Sequence, residues 1–342
     1  MTAIRTENLA VRLLAPAFLG DAHQSGAWRT PPFKALLREW WRVAAASGHG
    51  YDHRALRPDE GALFGNAWLD SGATQSKVRL ALKHWNAGKM AQHMPVQKIS
   101  HPEAEKAGRM VEPLNYLGYG PIDRGQFKHG AALQAEETNT LSLAWPDTET
   151  SIPHTLQLID WFGTVGGRSR NGWGSLSLNL EPLTTNHPQL ASVLRALREC
   201  LKLDWPHAIG KDAAGALIWE STQTFGTWPE AMKFLARTKI DFRTHLKFPN
   251  ERAPHRQPQD RHVLAYPVTN HDVQGWRDVR LANQLRFKLF PVADKKLRAR
   301  IYHTPHGSPL PMGNLDQFAV WQRIHQWLDD SAHGMQRLGA SA

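Results

Sequence analysis

The chain has 342 residues, enough for about two domains of ordinary size. A hydrophobic fraction of 41% beside 21% charged residues excludes wholesale disorder and a fibrous repeat, and it implies a chain that buries a real core. Lys plus Arg number 41 against 31 Asp plus Glu, so the net charge of +10 points to a polyanionic partner and away from an acid-rich binder.

The early apolar run Leu13 to Leu19 is short and is broken by Pro16, which argues against a secretory signal or a membrane span. The expected setting is therefore cytoplasmic, with no membrane partner. Cys200 is the single cysteine, which excludes an intramolecular disulfide and a zinc site built on several thiolates.

In chain order, Leu9, Val11 and Leu13 alternate with Ala10, Arg12 and Leu14 and predict a strand ending at Pro16. Thr30 is placed to cap a helix that tolerates Pro31 and Pro32 in its first turn, with Phe33, Leu36, Leu37, Trp40 and Ala44 on its core face. Val78, Leu80 and Leu82 then predict a strand whose other face carries Lys77, Arg79 and Lys83, a candidate binding surface. From Trp85 to Thr138 no periodicity is sustained, so this stretch reads as a long insertion. A strand at Leu141 and Leu143, a helix over Pro153 to Phe162 and a strand at Leu176, Leu178 and Leu180 follow.

Beyond Pro182 the pattern restarts with a helix from about Gln189 to Leu203. His255 to His262 reads as an exposed loop; Leu285, Phe287 and Leu289 predict a strand, and Arg298, Arg300 and Tyr302 share one face of the next. Phe318, Trp321, Ile324 and Leu328 mark a final amphipathic helix. Strands and helices alternate without regular βα spacing, so the expected class is α+β, as two sandwiches covering residues 1–183 and 184–342.

Two constellations carry candidate chemistry. Residues 163–174, Gly-Thr-Val-Gly-Gly-Arg-Ser-Arg-Asn-Gly-Trp-Gly, combine glycines that expose backbone N–H groups with Arg168 and Arg170. Gly166, Gly167 and Gly172 are expected to shape an anion-binding concavity, Ser169 and Asn171 to add neutral hydrogen bonds, and Trp173 to stack on a base or to pack the loop into the core. No Gly-Lys-Ser/Thr follows, so this is not a nucleotide P-loop. The second constellation is the helix from Arg29 onward, where Lys34, Arg38 and Arg42 fall at i, i+4 and i+8 as one cationic stripe, read either as a phosphate-binding ridge or as a solvated face near Glu39.

Histidine is abundant at 18 residues, yet His49 with His53 and His303 with His306 lie in Gly- or Pro-punctuated stretches without a His-Glu-x-x-His helix, so no metal or cofactor is expected. Asp21 and His23 could supply a base for RNA cleavage, and loop polarity explains them equally well.

The segments Leu14-Ala-Pro-Ala-Phe-Leu-Gly20, Arg29-Thr-Pro-Pro-Phe-Lys-Ala-Leu-Leu-Arg-Glu-Trp-Trp-Arg42, Leu63-Phe64-Gly65 and Phe162-Gly to Gly174-Ser-Leu176, in this order and at this separation, resemble the repeat-associated (RAMP) superfamily of CRISPR systems. More narrowly, the series is similar to the first subunits of type III-B Cmr effector complexes, mainly over the first half of the chain. The chain departs from the family pattern at Asn171-Gly-Trp173, where more basic residues are usual, and at Gly20-Asp21-Ala22, where a Gly-Gly pair is usual. The resemblance implies two ferredoxin-like (RRM-like) domains, the first carrying the insertion. It also implies a non-catalytic RNA-binding subunit that contacts guide RNA, target RNA or both, and other subunits of an antiviral effector, with Asp21 not catalytic. The rival expectation is a metal-independent endoribonuclease that processes the guide precursor; a third is a structural subunit whose basic faces meet acidic neighbours.

Overall fold

Leu9, Val11 and Leu13 are buried along strand β1 (Ile4–Leu13), while Asn8 and Ala10 on the opposite face are exposed and Arg12 is half-buried, as the alternation requires. The computed structural model describes residues 3–67, 72–90, 94–104, 108–128, 130–249 and 253–339; within the insertion, residues 91–93, 105–107 and 129 lie outside that description. Helix α1 (Thr30–Ala45) follows β1 and buries Phe33, Leu36, Leu37, Trp40, Trp41 and Val43. Thr30 is its first residue rather than its cap: Arg29 holds the capping position without a side-chain bond to the helix. Helix α2 (His53–Phe64) comes next, opened by the Asp52 carboxylate, which accepts from the Arg54 N–H at 2.8 Å.

Strands β2 (Arg79–Leu82) and β3 (Thr138–Pro146), helix α3 (Ser151–Phe162) and strand β4 (Leu176–Ser177) complete an antiparallel sheet of order β2-β3-β1-β4. The single helix expected over 189–203 is interrupted. Pro188–Val193 is helical, β5 (Leu194–Ala196) is extended because it pairs in parallel with β6 (Ile209–Asp212), and helix resumes only over Leu197–Cys200. Backbone pairing outweighs helical periodicity there. Strand β7 (Gly215–Ala216) closes this small sheet against β6.

The second half then repeats the order of the first: β8 (Ile218–Ser221), α4 (Trp228–His245), β9 (Leu285–Pro291), β10 (Leu297–His303), α5 (Gln317–Asp329) and β11 (Met335–Arg337), with sheet order β9-β10-β8-β11. Both halves are thus β-α-β-β-α-β units, and the class is α+β. The 18-residue α4 has a full capping box, with Thr227 and Glu230 exchanging bonds and Pro229 in the first turn.

Side chains from β9 and β10 join the halves at the end of α3. The last turn of a helix leaves carbonyls without partners. Here Lys288, buried completely, donates to the carbonyls of Ile159 (3.0 Å), Asp160 (2.7 Å) and Gly163 (2.8 Å). Arg300 donates to Trp161 O at 2.6 Å and the Tyr302 hydroxyl to Phe162 O at 2.7 Å. Cations at a helix C-terminus also favour the macrodipole. Burial pushes the Lys288 amine down to about 7, with the Asp160 carboxylate opposing and Arg300 adding to the shift. The basic face expected on the 298–302 strand therefore serves the interior.

The insertion is packed rather than solvated. Met90, Met94, Ile99, Leu114, Leu117, Ile122 and Ala132 share one buried cluster with Leu235, Phe242, Leu264 and Phe287 of the second half, and its helix, Pro113–Gly118, lies on α4. No helix of the described residues is long and apolar enough to cross a membrane.

Candidate nucleic-acid interface

The carbonyls fixed by Lys288, Arg300 and Tyr302 deliver the chain directly into the glycine-rich segment. The loop closes on itself through Val165 N to Gly174 O (2.9 Å), Asn171 N to Arg168 O (2.9 Å) and Gly172 N to Ser169 O (3.0 Å). It is tied outward through Gly167 N to Phe18 O (3.0 Å), Gly174 N to Pro16 O (2.8 Å) and Phe287 N to Arg170 O (3.1 Å). Gly174 has φ +65°, and a Cβ there would lie 1.9 Å from Val165 O, so no other residue fits. The glycines thus serve close packing, and the N–H groups of Gly167, Asn171, Gly172 and Gly174 are spent on the fold. The expected concavity of free N–H groups is corrected accordingly.

Trp173 is fully buried, its ring 5.0 Å from Phe18 and 5.9 Å from Trp228. It has no face for a base, so packing, not stacking, is its role; Gly172 beside it lies against Met232 and Leu235. Its indole N–H lacks a hydrogen-bond partner among the described residues.

The two loop arginines diverge. Arg170 is half-buried towards Arg286, whose guanidinium meets Glu39 of α1 at 2.5 Å; burial first and Arg286 second lower the Arg170 pKa. Arg168 is exposed in a left-handed conformation (φ 56°), with its Nη2 3.0 Å from where a Cβ on Gly120 would sit. Gly166 and Gly167 flank it half-exposed, as does Ser169.

Asn171 ties three elements together: its amide donates to Leu117 O of the insertion helix at 2.8 Å, and its Oδ1 accepts from Lys239 Nζ of α4 at 2.8 Å. Burial, then Arg243 one turn along α4, then Arg168 push the Lys239 amine down to about 7. Lys239 feels the charge of both Arg243 and Arg168, and among the described residues none of the three has an ion-pair partner. They form a basic strip where loop, insertion and α4 meet, and Tyr119, 64% exposed, adjoins it next to Gly120. Lys239 and Arg243 escaped the sequence reading, although the Thr227-x-x-Glu230 box ahead of an apolar-periodic run announces the helix that carries them.

The α1 stripe is placed differently. Arg38 Nε and Arg42 Nε and Nη2 converge on the Glu60 carboxylate of α2 at 2.6, 2.8 and 2.7 Å, and Glu60 is 3% exposed. Burial alone would raise the Glu60 carboxyl, but the bonds from Arg42 and Arg38 outweigh it and hold it below the usual range. Lys34 is lowered by burial and by Arg38. Arg29 reaches back to the Gly20 carbonyl. The stripe therefore knits α1 to α2, which corrects its reading as a free ridge. Lys77, Arg79 and Lys83 stand exposed on and beside edge strand β2, where charge also blocks edge-to-edge pairing.

The Asp21 carboxylate accepts from the backbone N–H groups of His23 (2.8 Å) and Ser25 (3.0 Å), the geometry of a side-chain-stabilised turn. His49 bonds Asp59 and Ala45 O, while His303 faces His325 at 3.0 Å and shares the Gln284 side chain with the His306 N–H, so the histidines of neither candidate pair bond each other. Among the described residues no cluster of three or more ligands suits a metal ion. Cys200 is buried, which pushes its thiol up to about 12.

No protein-family profile matches the chain, and no curated protein matches it. Solved structures do match. A chain of the type III-B Cmr-beta complex bound to cognate target RNA superposes with a TM-score of 0.51 and 11% identity, over 94% of this chain and 99% of that one. This chain has the fold of a type III-B Cmr-complex chain. Cmr1 from Pyrococcus furiosus in its apo form gives a TM-score of 0.49 at 12% identity, covering 94% and 97%.

Proposed function

We propose that the chain is a non-catalytic, RNA-binding subunit of a cytoplasmic type III-B CRISPR effector ribonucleoprotein, working beside other subunits in defence against foreign RNA. Its guide or target strand lies along Arg168, Lys239 and Arg243. The observation that carries the reading is this strip, basic and, among the described residues, without carboxylate partners at the meeting of three chain segments. The likeness of fold to a chain in an RNA-bound complex supports the same conclusion. The β-α-β-β-α-β order in both halves, with each second strand at a sheet edge, supports two ferredoxin-like (RRM-like) domains, 1–183 and 184–342.

Salt dependence tests the reading. Each phosphate neutralised on a single strand contributes about 0.7 log units of affinity per log unit of salt. The triple variant Arg168→Ala, Lys239→Met, Arg243→Ala, folded by circular dichroism, is expected to lower that slope by about 2 in titrations with labelled single-stranded RNA. An unchanged slope removes the strip from the interface.

A further inference from the structure

Beside Arg168 lies a cleft of about 290 Å³ bounded by the segment after β1, the insertion and the glycine-rich loop. Phe18 and Phe127 form its aromatic lining, both half-buried, their centroids 5.7 Å apart in an edge-to-face arrangement. Phe18 is held from behind by Trp173, so its ring is fixed before any ligand arrives. Gly20, Gly26, Gly120 and Gly167 supply bare backbone elsewhere around the cleft. At the rim, exposed Gln24 carries its side-chain amide over Gly20 without a hydrogen-bond partner among the described residues. Among the described residues no charged side chain lines the cleft; the Arg29 guanidinium is engaged by the carbonyl of Gly20 on its wall, and Arg168 lies beside Gly120.

We propose that this cleft receives one unstacked nucleobase of the bound strand. The base's face lies against the phenylalanine rings, its polar edge meets the Gln24 amide, and its flanking phosphate sits on Arg168. The inference deepens the RNA-binding reading and rests on it. Three features argue for a base over a free anion: the walls among the described residues are aromatic, aliphatic and backbone, the Gln24 amide offers a donor and an acceptor side by side, and the Arg29 guanidinium near the wall is already taken by the Gly20 carbonyl. Glycines where the ligand enters permit the close approach that a flat ring needs.

Gly167 provides a clean way to narrow the cleft. Its φ lies outside the left-handed region, and an added Cβ would meet nothing nearer than 3.4 Å, so Gly167→Ala fits the fold while placing a methyl group on the cleft wall. Gln24→Ala, at an exposed position, serves as the second variant. The affinity of each protein is measured for a labelled single-stranded RNA and for the same strand carrying abasic sites, with melting temperature as the check on folding. Wild type is expected to bind the base-bearing strand about tenfold more tightly, the scale of one stacked base. In both variants this advantage is expected to fall to about twofold. An advantage that persists in both folded variants overturns the pocket, and equal binding of the two strands by wild type overturns it while leaving strand binding in place. Binding of neither strand by wild type defeats both readings.

Discussion

The α1 stripe and the Arg168–Lys239–Arg243 strip carry similar charge but differ in what surrounds it. On α1, one carboxylate lies between two guanidinium groups, so Arg38 and Arg42 are occupied in joining two helices. In the strip, Arg168 from the loop and Arg243 from α4 both act on Lys239, and the polar side chain bonded to Lys239 among the described residues is neutral Asn171. Mutual repulsion between like charges is relieved by an incoming phosphate, whereas an existing salt bridge has to be given up before a phosphate can gain. Availability of a cation is thus decided by its partners in three dimensions, and spacing along one helix does not report it.

The largest expected effect comes from the support beneath the strip. Trp173 holds the loop against Phe18 and Trp228, so Trp173→Ala should cost about 3–5 kcal/mol of stability by denaturant unfolding. A loss below about 1 kcal/mol would mean that the ring is not a core element and would reopen stacking as its role. Next comes the stripe itself. Removing Glu60 leaves two arginines facing each other, and because both are partly exposed the cost of Glu60→Gln should be about 2 kcal/mol, below that of a fully buried pair. Since the Glu60 carboxyl is held below its usual value, its contribution is complete above the unfolded pKa and is lost as pH falls through the folded one. The gap in melting temperature between wild type and Glu60→Gln should therefore close at low pH. A gap that stays constant would deny the ion-pair role.

The smallest effect sharpens the strip. With its amine at about 7, Lys239 is only partly charged at neutral pH, and a bound phosphate favours the charged form. Binding should then take up a proton, and RNA affinity should weaken about three- to tenfold as pH rises from about 6 to 8. Lys239→Met should remove most of that dependence; an equal dependence in the variant would assign it to another group.

Much of the fold was legible because burial on one face imposes a period. β1, α1, β3, α3, β9, β10 and α5 all carry the alternation or the helical spacing that placed them. The interruption at Leu194–Ala196 was not legible, since its cause is a strand partner fifteen residues downstream of Leu194, at Ile209. The site was read in part. Arg168 was found through the glycines around it, but those glycines turned out to serve packing. Arg170 and Trp173 lie in the same run of sequence and point into the protein, a distinction that only tertiary contacts make. Lys239 and Arg243 lie on α4 more than sixty residues beyond the loop, and Lys239 becomes its neighbour through Asn171.

Hydrogen exchange on the full chain, with and without single-stranded RNA, tests the central claim most directly. Protection on binding is expected over 166–171, over the insertion helix and the following turn at 113–120, and over the α4 segment 236–244, with α1 unchanged. Protection concentrated on α1 and α2, with those three segments unaffected, would contradict the account.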